Sequence, residues 1–107
     1  MKPVARFDVY ANPVAEEHAV TPYLLDLQND HLSGLSSRVV APLRNEKVFG
    51  PRARRLNPLF DVRGTSVVLD VAALGAVPLA ELRRPIADLR AHQFEIVDAL
   101  DMLFGAF

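Results

Sequence analysis

The 107-residue chain contains no cysteine and no tryptophan. The first absence removes disulfides, thiolate metal sites and cysteine nucleophiles together, and it fits a reducing cytoplasm. The second leaves two Tyr and six Phe as the whole aromatic complement for building a core or an interface. A positive charge excess is missing as well: 12 Lys and Arg stand against 13 Asp and Glu, for a formal charge of −1. A protein that grips nucleic acid by neutralising phosphates carries a clear basic excess, so direct nucleic-acid binding is not expected. The five glycines are scattered and form no phosphate-cradling loop. Long apolar runs are absent too. The longest uncharged stretch, 71–80, contains Gly75 and Pro78 and falls far short of the roughly 20 apolar residues that span a bilayer. The opening residues reach Lys2 and Arg6 before an apolar run can form, which argues against a signal peptide. A cytoplasmic protein without membrane association is the expectation.

What remains is a chain with half its residues hydrophobic and 23% charged, the balance of a packed globular domain. With no linker, repeat or low-complexity tract, residues 1–107 are expected to form a single domain. The first two thirds have a period of two. Phe7, Val9 and Ala11 alternate with Asp8 and Tyr10, and Tyr23, Leu25 and Leu27 alternate with Leu24, Asp26 and Gln28. Asp26, Gln28 and Asp30 thereby share one strand face, which has the composition of the solvated side of a half-buried strand. Residues 38–41 form a third candidate strand, ended by Pro42, which cannot donate to a ladder. Residues 59–62 and 66–71 form a hairpin bent at Arg63-Gly64-Thr65, and 77–82 supply a short edge strand. Near residue 89 the period changes. Leu89, Gln93, Ile96, Val97, Leu100, Leu103 and Phe104 lie at helical spacing, with Asp88 as N-cap and Gly105 placed to end the helix in the left-handed conformation. Strands first and one helix last predict an α+β fold: an antiparallel sheet with a C-terminal helix laid upon it.

Catalytic patterns are scarce. His18, His31 and His92 lack metal-ligand spacing, so neither a metal nor another cofactor is expected. Residues 34–38 lack the second glycine of a nucleophile elbow. Two features suggest interaction instead. Arg52, Arg54 and Arg55 concentrate positive charge between Pro51 and Pro58, which suits an acidic peptide. The chain also ends on Met102-Leu103-Phe104-Gly105-Ala106-Phe107, an apolar end that needs covering by its own core, a second subunit or a partner.

The ordered set Arg6-Phe7-Asp8-Val9-Tyr10, Leu25-Asp26-Leu27-Gln28-Asn29-Asp30 and Arg38-Val39-Val40-Ala41-Pro42-Leu43 resembles the first three strands of the CcdB family. That family comprises toxins of plasmid-maintenance toxin–antitoxin pairs. The likeness continues through Leu56-Asn57-Pro58, Val77-Pro78 and Ala87-Asp88-Leu89, then a helix ending Ala99-Leu100-Asp101-Met102-Leu103-Phe104. It covers nearly the whole chain and is almost free of gaps from Val77 onward. The resemblance implies an SH3-like twisted antiparallel sheet, a small second sheet and one C-terminal helix. It implies a homodimer joined around the helix ends, through Leu32, Leu74, Leu103 and Phe104. It implies two partners: an antitoxin with an acidic, disordered C-terminal tail, and the A subunit of DNA gyrase. Such proteins are not enzymes; they trap gyrase on cleaved DNA.

The target-facing positions implied by the resemblance are His31, Leu32, Asp101, Phe104, Gly105, Ala106 and Phe107. Most depart from the family. Where gyrase-poisoning members end Phe-Trp-Gly-Ile, this chain has Phe104-Gly105-Ala106-Phe107, so the Trp is replaced by a residue with no side chain. Loss of a central aromatic anchor weakens an interface by about 10²-fold or more. Asp101 stands where the family has asparagine, and His31 replaces one of two neighbouring isoleucines, while Leu32 keeps the apolar character of the other. The antitoxin-facing loops correspond to 12–21 and 44–55 here, naming Asn12, Arg44, Arg52, Arg54 and Arg55 as tail-binding residues. Two alternatives stand beside the toxin. One is a non-toxic homologue that binds antitoxin or regulates its operon. The other is a ribonuclease toxin on a similar sheet, using His31 or His92 with Arg54.

Overall fold

A computed structural model describes residues 4–32 and 34–105. Seven strands form one antiparallel sheet: β1 (Asp8–Ala11), β2 (Tyr23–Asp26), β3 (Ser37–Asn45), β4 (Leu59–Val62), β5 (Thr65–Leu69), β6 (Gly75–Pro78) and β7 (Ala87–Asp88). A one-turn helix α1 (Glu46–Phe49) follows β3, and a 12-residue helix α2 (Gln93–Phe104) closes the described chain. The order β4-β5-β3-β2-β1-β7, with β6 also on β3, gives the α+β class that the change of period predicts. The long central strand β3 forks the sheet. Its first half pairs with β6, from Ser37–Pro78 to Val40–Gly75, and its last residues pair with β5, from Leu43–Leu69 to Asn45–Val67. The small second sheet implied by the family is therefore continuous with the main one.

Pro42 does not end β3, contrary to the expectation from its missing N–H. It lies in the gap between the β6 and β5 pairings, so no ladder bond is lost there, while its carbonyl still accepts from Asp70 N at 3.0 Å. The edge strand expected at 77–82 begins and ends earlier, at Gly75–Pro78, because residues 79–81 turn into a single 3-10 turn. The β4–β5 hairpin forms at the expected bend, but Thr65 pairs with Val62 inside β5, which ends at Leu69 rather than residue 71. Arg63 and Gly64 both have positive φ, 51° and 83°, the signature of a two-residue turn whose twist matches the strands. Asp61 Oδ1 accepts from Gly64 N at 2.9 Å and braces it.

Odd-numbered positions of the three central strands (Val9, Leu25, Ala41, Leu43) meet Phe60, Val62, Val67 and Leu69 of the hairpin and Ile96 and Ala99 of α2 in the core. The helix starts later than expected. Asp88 lies in β7, where its carboxylate accepts from Arg90 N at 3.1 Å, and Leu89 is the N-cap of the 3-10 turn Arg90–His92 that precedes α2. Gly105 ends α2 in the left-handed conformation (φ 75°, ψ 42°), its N–H returning to Asp101 O, as its position predicts. Two charges ill-placed for the helix macrodipole are matched across the fold: Arg90 with Asp8 and Asp88, and Asp98 with Arg55.

The even face of the central strands overturns the solvated-face reading. Asp26 and Gln28 are buried; only Asp30 is exposed. Tyr10, Leu24 and Val40 of the same face are buried with them, so both faces of the central strands are covered. Asp26 answers burial with Arg38, itself wholly buried, through bonds of 2.8 and 2.9 Å. Leaving either charge alone in such a site would be costly.

Candidate functional site

Three surfaces collect the residues singled out by the sequence. The first is an apolar groove of about 500 Å³ at the C-terminal end of α2, lined by Leu27, Gln28, Asn29, Leu32, Leu35, Val39, Leu74, Leu100 and Phe104. Helical geometry explains the role of Phe104. Ile96 and Ala99 point into the core, Val97, Leu100 and Leu103 pack partly against it, and Phe104, the last residue of α2, is left outside it. It is 70% exposed, with Leu32 and Leu35 about half exposed. Gln93, expected on the buried stripe, is exposed as well. A contiguous surface of large apolar side chains marks an interaction site more often than idle exposure.

The turn that carries His31 and Leu32 is held from below. Gln28 Nε2 donates to Leu32 O at 3.1 Å, and Gln28 Oε1 accepts from Val39 N at 2.9 Å. Gln28 O in turn accepts from Arg38 Nη2 at 3.2 Å, and Gln28 N donates to Asp26 Oδ1 at 3.0 Å. The buried ion pair thus positions the rim of the groove. Sequence reading missed this link because it placed Asp26 and Gln28 in water. The signal available was an arginine inside an otherwise apolar strand, which needs a buried carboxylate near it.

Burial, the largest influence, pushes the Asp26 carboxyl above its ordinary range, against the pull of the Arg38 hydrogen bonds and the Gln28 N–H. On the same face the Tyr10 phenol is pushed up to about 12, by burial first and then by Asp8 and Asp26. Among the described residues, Tyr10 OH and Arg38 Nη1 are buried with no hydrogen-bond partner. Arg90, 2.9 Å from Asp8, lies at the edge of this polar layer.

The second surface is a pocket of about 500 Å³ between the β1–β2 loop and the sheet, lined by Asn12, Glu16, Glu17, Val20, Thr21, Leu24, Pro42 and Arg44. It brings together Asn12 and Arg44 of the tail-binding set. Asn12 is buried and its side chain organises the loop: Nδ2 donates to Thr21 O at 2.9 Å and Glu17 Oε1 at 3.2 Å, while Oδ1 accepts from Val14 N. Arg44 donates to Asp70 Oδ2 at 2.8 Å and Thr21 Oγ1 at 2.7 Å.

The arginine-rich loop, the third surface, is anchored elsewhere. Arg55 forms a two-pronged pair with Asp98 of α2 (3.0 and 2.7 Å), and Arg52 donates to Asn57 O at 3.1 Å. Asp98 is held below the usual carboxylate range by the Arg55 hydrogen bond. Arg54 is exposed and makes no such contact among the described residues.

Asp101, half-buried near the end of α2, makes no ion pair among the described residues. Leu103 packs toward the core rather than lining the groove. Ala106 and Phe107 lie outside the described residues. His92 is tied to Glu95 at 3.1 Å and to the Phe60 ring, centroids 5.1 Å apart, and no contact joins it to His31 or Arg54 among the described residues. Among those residues no helix is long and apolar enough to cross a membrane, and no group of three or more His, Asp or Glu could hold a metal ion.

A family model described as CcdB protein matches residues 6–105. No curated protein matches the chain.

Proposed function

The chain belongs to the CcdB family, a family of toxins from toxin–antitoxin systems rather than of catalytic enzymes, and from that premise we propose a cytoplasmic toxin that acts by binding as a homodimer. Its target in this reading is the DNA gyrase A subunit, and a disordered antitoxin tail neutralises it. The observation that carries the reading is the apolar groove, where Leu32, Leu74 and Phe104 meet on one face. A two-fold contact sets the same patch on both subunits. Two copies of an open groove rimmed by a largely exposed Phe104 bury each other's apolar rim, and that joining brings the two C-terminal ends together. His31 borders the joint, Asp101 lies on the last turns of α2, and Gly105, Ala106 and Phe107 follow directly as the surface offered to the target. The tail is received by Arg44 and the Asn12 loop on one side and by Arg52, Arg54 and Arg55 on the other.

Induced expression in a bacterial host without antitoxin tests this function. Growth arrest with gyrase–DNA cleavage complexes trapped in vitro is the expected result. Arrest without such complexes removes gyrase and keeps the toxin; unimpaired growth overturns toxicity.

One observation favours a second reading, a non-toxic homologue that binds antitoxin or regulates its operon. Gly105 ends the helix at φ 75°, with nothing within 4 Å of where a Cβ would stand. The place of the family's Trp therefore has room but no side chain, and a Trp there carries a left-handed penalty of about 1 kcal/mol. Toxicity gained by Gly105→Trp with Ala106→Gly and Phe107→Ile would establish that reading.

A further inference from the structure

The pocket between the β1–β2 loop and the sheet has a charge opposite to the one an acidic tail requires. Its only cation among the described residues, Arg44, is already matched by Asp70 at 2.8 Å and is further tied to Thr21. Glu16 makes no hydrogen bond or ion pair among the described residues, and Glu17 meets only the neutral Asn12 amide through its side chain. Two carboxylates are thus left over at the rim of a cavity of about 500 Å³ whose floor is Leu24, Pro42 and Val20. The wall that carries them is pre-built. Asn12 N donates to Pro22 O at 3.0 Å, Glu17 N to Val14 O at 3.0 Å and Thr21 N to Glu17 O at 2.7 Å. His18 Nε2 meets Asn12 O across the same loop. A rigid wall loses little freedom when a ligand arrives, so its charges act at close to full effect.

We infer that this pocket receives a partner segment in which an arginine or lysine is flanked by aliphatic side chains, the aliphatic groups on Leu24 and Pro42 and the cation between Glu16 and Glu17. The inference rests on the assignment of this loop to antitoxin binding and changes the chemistry of that contact. An acidic stretch of the tail belongs at Arg52, Arg54 and Arg55, and a basic-aliphatic stretch belongs here. Like charges facing one another at a rim select against the wrong partner as strongly as opposite charges select for the right one.

Amide NMR titration of the full chain with two capped tripeptides, acetyl-Leu-Arg-Leu-amide and acetyl-Leu-Glu-Leu-amide, tests it. The expected result is saturable shifts at Thr21, Leu24 and Arg44 with the arginine peptide only. They should weaken about fivefold to tenfold in Glu16→Gln/Glu17→Gln and at high salt. Gln at 17 keeps an acceptor for Asn12, so an unchanged spectrum elsewhere separates lost charge from a lost loop. Equal or tighter binding of the glutamate peptide overturns the charge assignment and leaves the pocket as a tail site. Binding of neither peptide overturns the pocket as a dock, while the toxin reading stands or falls on the expression experiment.

Discussion

Two regions of this small domain invert the usual arrangement of side chains. On the even face of the central strands, Asp8, Asp26, Gln28 and Arg38 lie in the interior, where charges are costly. At the end of α2, Leu32, Leu35 and Phe104 lie in water, where large apolar groups are out of place. The first region is closed by its own partners: the carboxylate of Asp26 and the guanidinium of Arg38 meet in two short bonds. The second stays open to water among the described residues. Inversion with internal compensation marks a device that fixes the fold, and inversion without it marks a surface made for something else. Gln28 joins the two, since it receives Arg38 on its carbonyl and holds Leu32 by its side chain.

The comparison breaks most sharply at the ion pair. Arg38→Met leaves Asp26 buried alone and is expected to cost about 3–5 kcal/mol in urea unfolding. The double replacement Asp26→Leu/Arg38→Met should recover much of that loss. Equal loss in both variants would deny the compensation. Alkaline pH probes the same layer with a smaller effect. The Tyr10 phenol is raised from 10.0 to about 12, so the folded state keeps a proton that the unfolded chain gives up. Stability present below pH 10.0 is therefore lost as pH rises toward about 12, by up to about 3 kcal/mol. Tyr10→Phe should abolish that slope while changing stability little at neutral pH; urea midpoints across the window check it.

The groove should respond in the opposite sense. Phe104→Ser is expected to move monomer stability by no more than about 0.5 kcal/mol, yet to weaken self-association by about tenfold or more, as read by sedimentation. Gln28→Ala should also loosen association through the Leu32 turn, with some loss of stability because its amide is buried. The smallest effect belongs to the exposed Asp98–Arg55 pair. With the Asp98 carboxyl held below 3.8, its contribution is present above that value and fades as pH falls through the folded value. Asp98→Asn should flatten the acid limb of the unfolding curve slightly, and high salt should mimic the change.

Alternation and spacing made much of this architecture legible. The hairpin at Arg63-Gly64, the Gly105 cap and the helical stripe of Ile96, Val97 and Leu100 all follow from local chemistry. What escaped were features set by distant parts of the chain. Asp26 and Gln28 read as solvated because alternation cannot tell that both faces of their strand are buried. Pro42 read as a terminator because nothing local shows that β3 changes partners there. Phe104 fits the helical stripe by spacing, yet at the last position of α2 it is largely exposed. The arginines proposed to receive the tail illustrate the same limit: Arg54 keeps its charge free of contacts among the described residues, whereas Arg55 and Arg44 are engaged by Asp98 and Asp70.

Sedimentation of the wild-type chain beside Phe104→Ser, with circular dichroism on both, tests the central contrast most directly. The expected result is a wild-type dimer at low micromolar concentration and a variant shifted to monomer, with matching spectra and matching unfolding of the monomers. A wild-type chain that stays monomeric throughout, or a Phe104→Ser variant that dimerises equally well, would contradict the assignment of the groove.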